Sequence, residues 1–154
     1  MTKKEDALNA LAAVLEGIAE QLAPGITVER NPADEIRFGL ADRAKIVLRD
    51  GSTGDPTVSL SPPNYEYDHV AQIVVSVVKN GRNVDAYFDQ IVGAIAARLD
   101  PEGDPPGDVT LGGVVDNAVL GGLDTDEIDA SMEADFKAAV IPVTLTYTTT
   151  SPLG

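Results

Sequence analysis

The chain has 154 residues, 25 of them acidic against 11 basic, and a formal charge of −14. One domain is expected at this length, and 44% apolar content lets it fill a core, mostly of Val, Leu, Ile and Ala because there is no Trp and few aromatics. The acidity argues against wrapping nucleic acid by phosphate neutralisation, zero Cys excludes disulfides, thiolate nucleophiles and Cys-held metals, and the single His69 excludes a His-rich metal centre.

Ala7, Leu8, Leu11, Ala12, Leu15, Ile18, Ala19 and Leu22 recur at three- and four-residue spacing and predict an amphipathic helix. Thr2 is its expected N-cap, with Glu5 three residues on. Pro24-Gly25 ends it. Lys3 to Asp6, Glu16 and Glu20 interrupt any apolar core of a signal peptide, and no run approaches the ~18 apolar residues of a bilayer span. The expected compartment is the cytoplasm of the producing cell.

Ile26 to Arg30 reads as a strand and Asn31-Pro32 as a turn, while Ile36 to Leu40 is ambiguous. Lys45 to Arg49 is rich in β-branched residues. Asp50 to Pro56 reads as a loop or hairpin tip, and Thr57 to Ser61 as the returning strand before Pro62-Pro63. Tyr65 to Lys79 is the strongest strand, with a β-branched second half that predicts burial on both faces. Asn80-Gly81 makes a turn. Val84, Tyr87, Phe88, Ile91, Ile95 and Leu99, with Val92 alongside, then predict a second amphipathic helix.

Prolines, glycines and acids make Asp100 to Gly113 a solvated loop. Val114 to Leu120 reads as a strand, and Asp124 to Asp129 as a polar strand or exposed turn. Ala134 to Thr149 is the last strand, with Val143, Leu145 and Tyr147 alternating against threonines. Pro142 inside it predicts an edge position or a bulge. Strands and helices do not alternate regularly. The fold expected over residues 1–154 is therefore a single α+β domain: an antiparallel or mixed β-sheet with two amphipathic helices packed on one face, plus an extended β-hairpin arm.

Asp50, Asp55, Asp100, Asp104, Asp108, Asp124, Asp126 and Asp129 invite a calcium test, but no window matches an EF-hand loop. They read as solvated charge. Asp68 and His69 are adjacent, and strand neighbours point to opposite faces, so they do not form a catalytic pair. Ser61 and Ser76 lack a nucleophile elbow. Gly112-Gly113 and Gly121-Gly122 fit neither a dinucleotide nor a phosphate loop and read as turn geometry. No catalytic, metal-binding or cofactor-binding residue is assigned, and the chain is not expected to be an enzyme. A small acidic calcium-binding or hydrolytic module is the rival from another class.

The motif order carries a resemblance. A leading helix precedes a strand opening on Tyr65-x-Tyr67-x-His69. A helix ending Ala97-Arg98-Leu99-Asp100 leads through a proline-rich acidic loop to Leu111-Gly112-Gly113. A Val114-Val115-Asp116 strand follows, and the chain closes on Val143-x-Leu145-x-Tyr147-Thr148-Thr149. In this order and length the chain resembles the tail terminator (tail-completion) proteins of long-tailed double-stranded-DNA bacteriophages and phage-like gene transfer particles. The resemblance spans nearly the whole chain and departs at Asp50 to Pro63 and at Asp100 to Asp108.

The resemblance implies a structural virion protein, assembled in the host cytoplasm. It implies a homo-hexameric ring on the head-proximal end of the tail tube. Such a ring stops polymerisation of the major tail tube protein, docks to the head connector or stopper protein and lines the DNA channel, with no membrane, cofactor or catalysis. Another neck, connector or minor tail protein of the same particle is the near alternative. The candidate interface residues are Gly51, Ser52, Thr53, Gly54 and Asp55, the strand residues Tyr65, Tyr67 and His69, and Leu111, Gly112 and Gly113. A sixfold ring multiplies the −14 charge. Acids within about one Debye length, ~8 Å, of the lumen would repel DNA phosphates and let DNA slide. General solubility or a halophilic adaptation explains the same acidity without a channel.

Overall fold

A computed structural model describes residues 2–22, 25–31, 43–78, 84–103, 105–123 and 136–150. The first helix, α1, covers Lys3–Leu22. The Thr2 hydroxyl accepts the Glu5 N–H at 3.2 Å and caps it. The Glu5 carboxylate is turned away to Arg30. Strands β1 (Ile26–Arg30), β2 (Ala44–Thr53), β3 (Thr57–Ser59) and β4 (Asn64–Val78) follow, then helix α2 (Val84–Arg98) and strands β5 (Asn117–Leu120) and β6 (Phe136–Thr149). No helix among the described residues is long and apolar enough to cross a membrane.

The strands form one mixed sheet in the order β1-β2-β4-β6-β5, with β3 paired to β4 beyond the end of β2. β1 and β2 run parallel; the other pairs are antiparallel. The architecture is α+β, with a mixed sheet and two helices. Leu8, Leu11, Leu15 and Ile18 of α1 and Phe88, Ile91 and Ile95 of α2 share one core with Ile46, Leu48, Ile73, Val75, Ile141 and Val143. Period-2 alternation puts these strand residues on one sheet face, so both helices cover that face. Burial of each such side chain contributes about 1.5–3 kcal/mol. Val47, Val74 and Val140 form a separate small cluster on the opposite face. The second half of β4 is therefore buried on both sides, as its composition predicts.

Pro142 is explained by its neighbours. β5 pairs β6 from Asn117↔Thr146 to Leu120↔Val143 and then ends. The Pro142 carbonyl accepts the Gly121 N–H at 2.7 Å, on the β5 side. The missing N–H of Pro142 faces the same side, so the β4 ladder loses nothing there.

Several boundaries differ from the sequence expectation. Asp50 to Pro56 is not a hairpin tip: β2 runs on to Thr53, and the turn joining β3 to β4 is at residues 60–63. The register moves from Arg49↔Gln72 to Ser52↔Val70, which makes Asp50-Gly51 a β-bulge opposite Ala71. Pairing against β4 absorbs the turn signals. The strand expected over 114–120 begins only at Asn117, because residues 109–116 turn instead. The expectations for Pro24, Ile36 to Leu40, Asn80-Gly81 and Asp124 to Asp129 lie outside the described residues.

Gly51 has φ +67°, and a Cβ there would collide with the Val70 carbonyl oxygen. Gly54 has open space around it. Gly51→Ala is therefore expected to lower unfolding free energy by about 2 kcal/mol or more. Gly54→Ala is expected to stay within about 0.5 kcal/mol. Urea denaturation of both variants checks the difference; equal midpoints would contradict the bulge.

Candidate functional site

The densest polar cluster lies where α1 begins, β1 ends and β2 bulges. The Arg30 guanidinium donates to Asp50 at 2.9 and 3.1 Å, to Asn9 at 2.9 Å and to Glu5 at 3.3 Å. The Asp50 N–H donates to Asn31 Oδ1 at 2.9 Å. One guanidinium thus ties the first turns of α1 to the sheet. Burial alone would raise the Asp50 carboxyl, but hydrogen bonds and charge from Arg30, with the Asn31 side chain, hold it below its usual value. The same bond to Asp50 raises Arg30 despite partial burial.

His69 lies beneath this cluster, on the helix-facing side of β4, with no exposed surface. Its Nε2–H donates to the Asp50 carbonyl exposed by the bulge. Its Nδ1 then accepts the Tyr147 hydroxyl at 3.3 Å. Both ring nitrogens are satisfied in the neutral form. Burial pushes the His69 pKa down, against the Asp50 carbonyl, which raises it; Lys4 lowers it further and the Asp50 charge raises it. Burial, with a contribution from Tyr67, pushes Tyr147 up to about 12, so it stays a donor. The Tyr67 and Tyr147 rings stack beside it at a centroid distance of 5.8 Å.

This placement corrects part of the expected interface. Tyr67 and His69 are buried with their side chains on the helix-facing side of β4, and Leu111 is buried but borders the groove between α1, α2 and the following loop. The sequence pattern marks them as apolar or aromatic on a strand but does not say which face is covered. Gly51 is the bulge. Thr53 pairs with His69, and Ser52 with Val70. Ser52, Gly54 and Asp55 are exposed, while Tyr65 is half-buried against the core. Gly112 and Gly113 are exposed with φ +75° and +86°. The Asp108 carboxylate shapes that turn. It accepts the Thr110 hydroxyl and the Gly112 N–H, both at 2.7 Å, and the Thr110 N–H at 2.9 Å. These bonds, led by the Thr110 hydroxyl, lower the Asp108 pKa. Residues 51–55 adjoin the start of β4; the 111–113 turn belongs to the loop after α2 and is not brought beside them by any described pairing.

Other surface features carry more than these residues do. Leu60, Val119, Leu123, Val58 and Val70 are exposed large apolar side chains. Val70, Thr144 and Val119 lie in one cross-strand row on the face away from the helices. A groove of about 390 Å³ runs between the end of α2 and β5. A second, of about 510 Å³, lies between α1, the last turns of α2 and the loop at 100–112. The uncharged run from Pro56 to Pro63 is the available sequence signal for Val58 and Leu60. Among the described residues, no group of three or more His, Asp or Glu is arranged to hold a metal. No known protein family and no curated protein matches the chain.

The cluster makes stability depend on pH. His69 is depressed when folded, so its contribution is complete above the unfolded value near 6.5 and falls as pH drops below it. Asp50 is also depressed, but its contribution is lost only below about pH 4. Urea midpoints are expected to fall between pH 7 and 5 through His69. His69→Leu is expected to cost about 1–3 kcal/mol at pH 7, since it strands the Asp50 carbonyl and the Tyr147 hydroxyl. Its midpoint should then change much less between pH 7 and 5. An equally steep fall in the variant would exclude His69 as the cause.

Proposed function

We propose that this chain is a structural subunit of a ring that terminates a phage-type tail tube and joins it to the head. The observation that carries the reading is the ordered set of motifs along the chain. The two end motifs pair directly: Tyr65 stands opposite Thr149 and Tyr67 opposite Tyr147 in the β4–β6 ladder. The strands that bear the resemblance therefore build the centre of the sheet rather than a peripheral loop.

In this reading the ring is homo-hexameric, sits in the virion at the head–tail junction and contacts the major tail tube protein below and the head connector or stopper above. Its work is mechanical: a closed surface on which no further tube ring can stack. DNA passes through without specific binding. The exposed acids Glu66 and Asp68 on β4, and Asp100, Glu102, Asp108 and Asp116 near the α2–β5 loop, give the subunit surfaces that repel phosphate.

Two measurements test this. Native mass spectrometry of the protein with tail tubes is expected to show a sixfold ring on the tube end. Particles made without the gene are expected to have overlong or headless tails by electron microscopy. Tails of normal length joined to heads would overturn the reading and favour another neck or minor tail role.

A further inference from the structure

We infer that neighbouring copies associate laterally, the β3–β4 hairpin tip of one seating Leu60 and Val58 in the groove between α2 and β5 of the next. The inference rests on the ring reading and specifies its contact.

The tip is unusual for so acidic a chain. Pro56 to Pro63 contains no charged residue. Leu60 is 79% exposed and Val58 50%, so the uncharged tip presents two large apolar side chains close together. The groove is its counterpart. Ala96, Leu99, Val109, Ala118, Val119 and Leu120 line it, and Asp100 is the single charged residue among its described lining. Its volume of about 390 Å³ falls in the range of preformed sites that accept compact apolar groups.

The sheet topology excludes the chain's own tip as the occupant. β3 lies on one lateral side of β4; β5 lies beyond β6 on the other. Two strands stand between them, so tip and groove are about 14 Å apart across the sheet. Val58 is level with Tyr65 and Thr149, whereas Val119 is level with Thr144, further along β6. A subunit cannot fold its own tip into its own groove through β4 and β6. A contact between unlike patches on opposite edges is heterologous, and repeated with a closing rotation it generates a ring.

Electrostatics favour the same pairing. Two copies of a −14 chain repel each other wherever charged surfaces meet. Contact between copies is cheapest where charge is sparse; the tip carries none, and the groove carries Asp100 alone among its described lining. A basic partner would gain nothing from either patch and would seek the acidic surfaces. The contact also covers two short strands, β3 and β5, whose outer edges are otherwise open among the described residues.

The absence of native Cys makes the test direct. Single variants Leu60→Cys and Val109→Cys are mixed, assembled with tail tubes and oxidised, with Leu60→Cys plus Glu16→Cys as the control pair. A disulfide-linked dimer from the first mixture only, and a linked closed ring from the double variant, are expected. Leu60→Asp is expected to weaken association about tenfold or more, with an unchanged circular dichroism spectrum because the side chain is exposed. Rings that form without the cross-link, and are indifferent to Leu60→Asp, would overturn this contact and leave the ring reading standing. Cross-linked copies that do not cap tubes would support the contact and overturn the tail reading. Cross-linking of Leu60→Cys protein to the tail tube protein alone would assign the tip to that partner and overturn the inference.

Discussion

The structure depends on the register between β4 and β6. These strands pair continuously from Tyr65↔Thr149 to Val78↔Phe136. Side chains alternate between faces, so this single register decides which residues meet the helices. Ala71, Ile73 and Val75 face inward beside Val143, Ile141 and Ala139. A slip of one residue would turn one strand's set outward, bringing either Gln72 of β4 or Thr144 and Thr146 of β6 against the helices. The loss would be several buried aliphatic side chains, each worth about 1.5–3 kcal/mol. No other pairing in the sheet carries so much, since β5 and β3 pair over only a few residues.

That ladder also determines what the bulge in β2 has to do. β4 carries a histidine at an inward position, and a fully buried imidazole must find partners for both nitrogens. β6 supplies one, because Tyr147 stands one inward position from His69 across the ladder. The other cannot come from a regular β2, whose carbonyls are used in pairing. The extra residue at Asp50-Gly51 frees the Asp50 carbonyl toward the ring, and Gly51 is the residue that fits the resulting positive φ and close approach. The Asp50 side chain is left to hold Arg30, and Arg30 holds Glu5 and Asn9 of α1. A core polar requirement thus propagates outward into the placement of the first helix.

The legible parts of the sequence were those with long periodicity. The stripe from Ala7 to Leu22, the stripe from Val84 to Leu99 and the β-branched runs of β4 and β6 each repeat a signal over many residues, and together they imply the two-layer arrangement. The misread parts are those where local chemistry competes with pairing. Asp50-Gly51 and Gly54-Asp55-Pro56 carry strong turn signals, yet an adjacent β4 long enough to pair with both β2 and β3 keeps them beside the sheet. Val114 and Val115 look like strand, but Asp108 winds the preceding residues into a turn and Val115 is used as a core plug. The expected interface fared differently by residue for one reason. Tyr67 and His69 have inward parity on β4, a property set by pairing with distant β6, whereas Ser52 and Asp55 lie where no helix covers them.

Charge and exposed apolar surface then have linked consequences. Exposed like charges repel over about a Debye length, ~8 Å in physiological salt, which keeps −14 subunits from random stacking. The same repulsion restricts where specific contacts between copies can form. Burying an unpaired carboxylate against another copy is costly, so sparsely charged patches at the sheet's lateral edges are favoured over its acidic loops. Leu60 and the aliphatic lining of the groove would then supply short-range attraction that salt hardly alters, while the acids supply a longer-range barrier that salt weakens. In the proposed assembly, attraction at two opposite edges, with repulsion over much of the remaining surface, favours side-by-side growth over three-dimensional aggregation. Closure into a ring is the outcome in which every tip and every groove is filled.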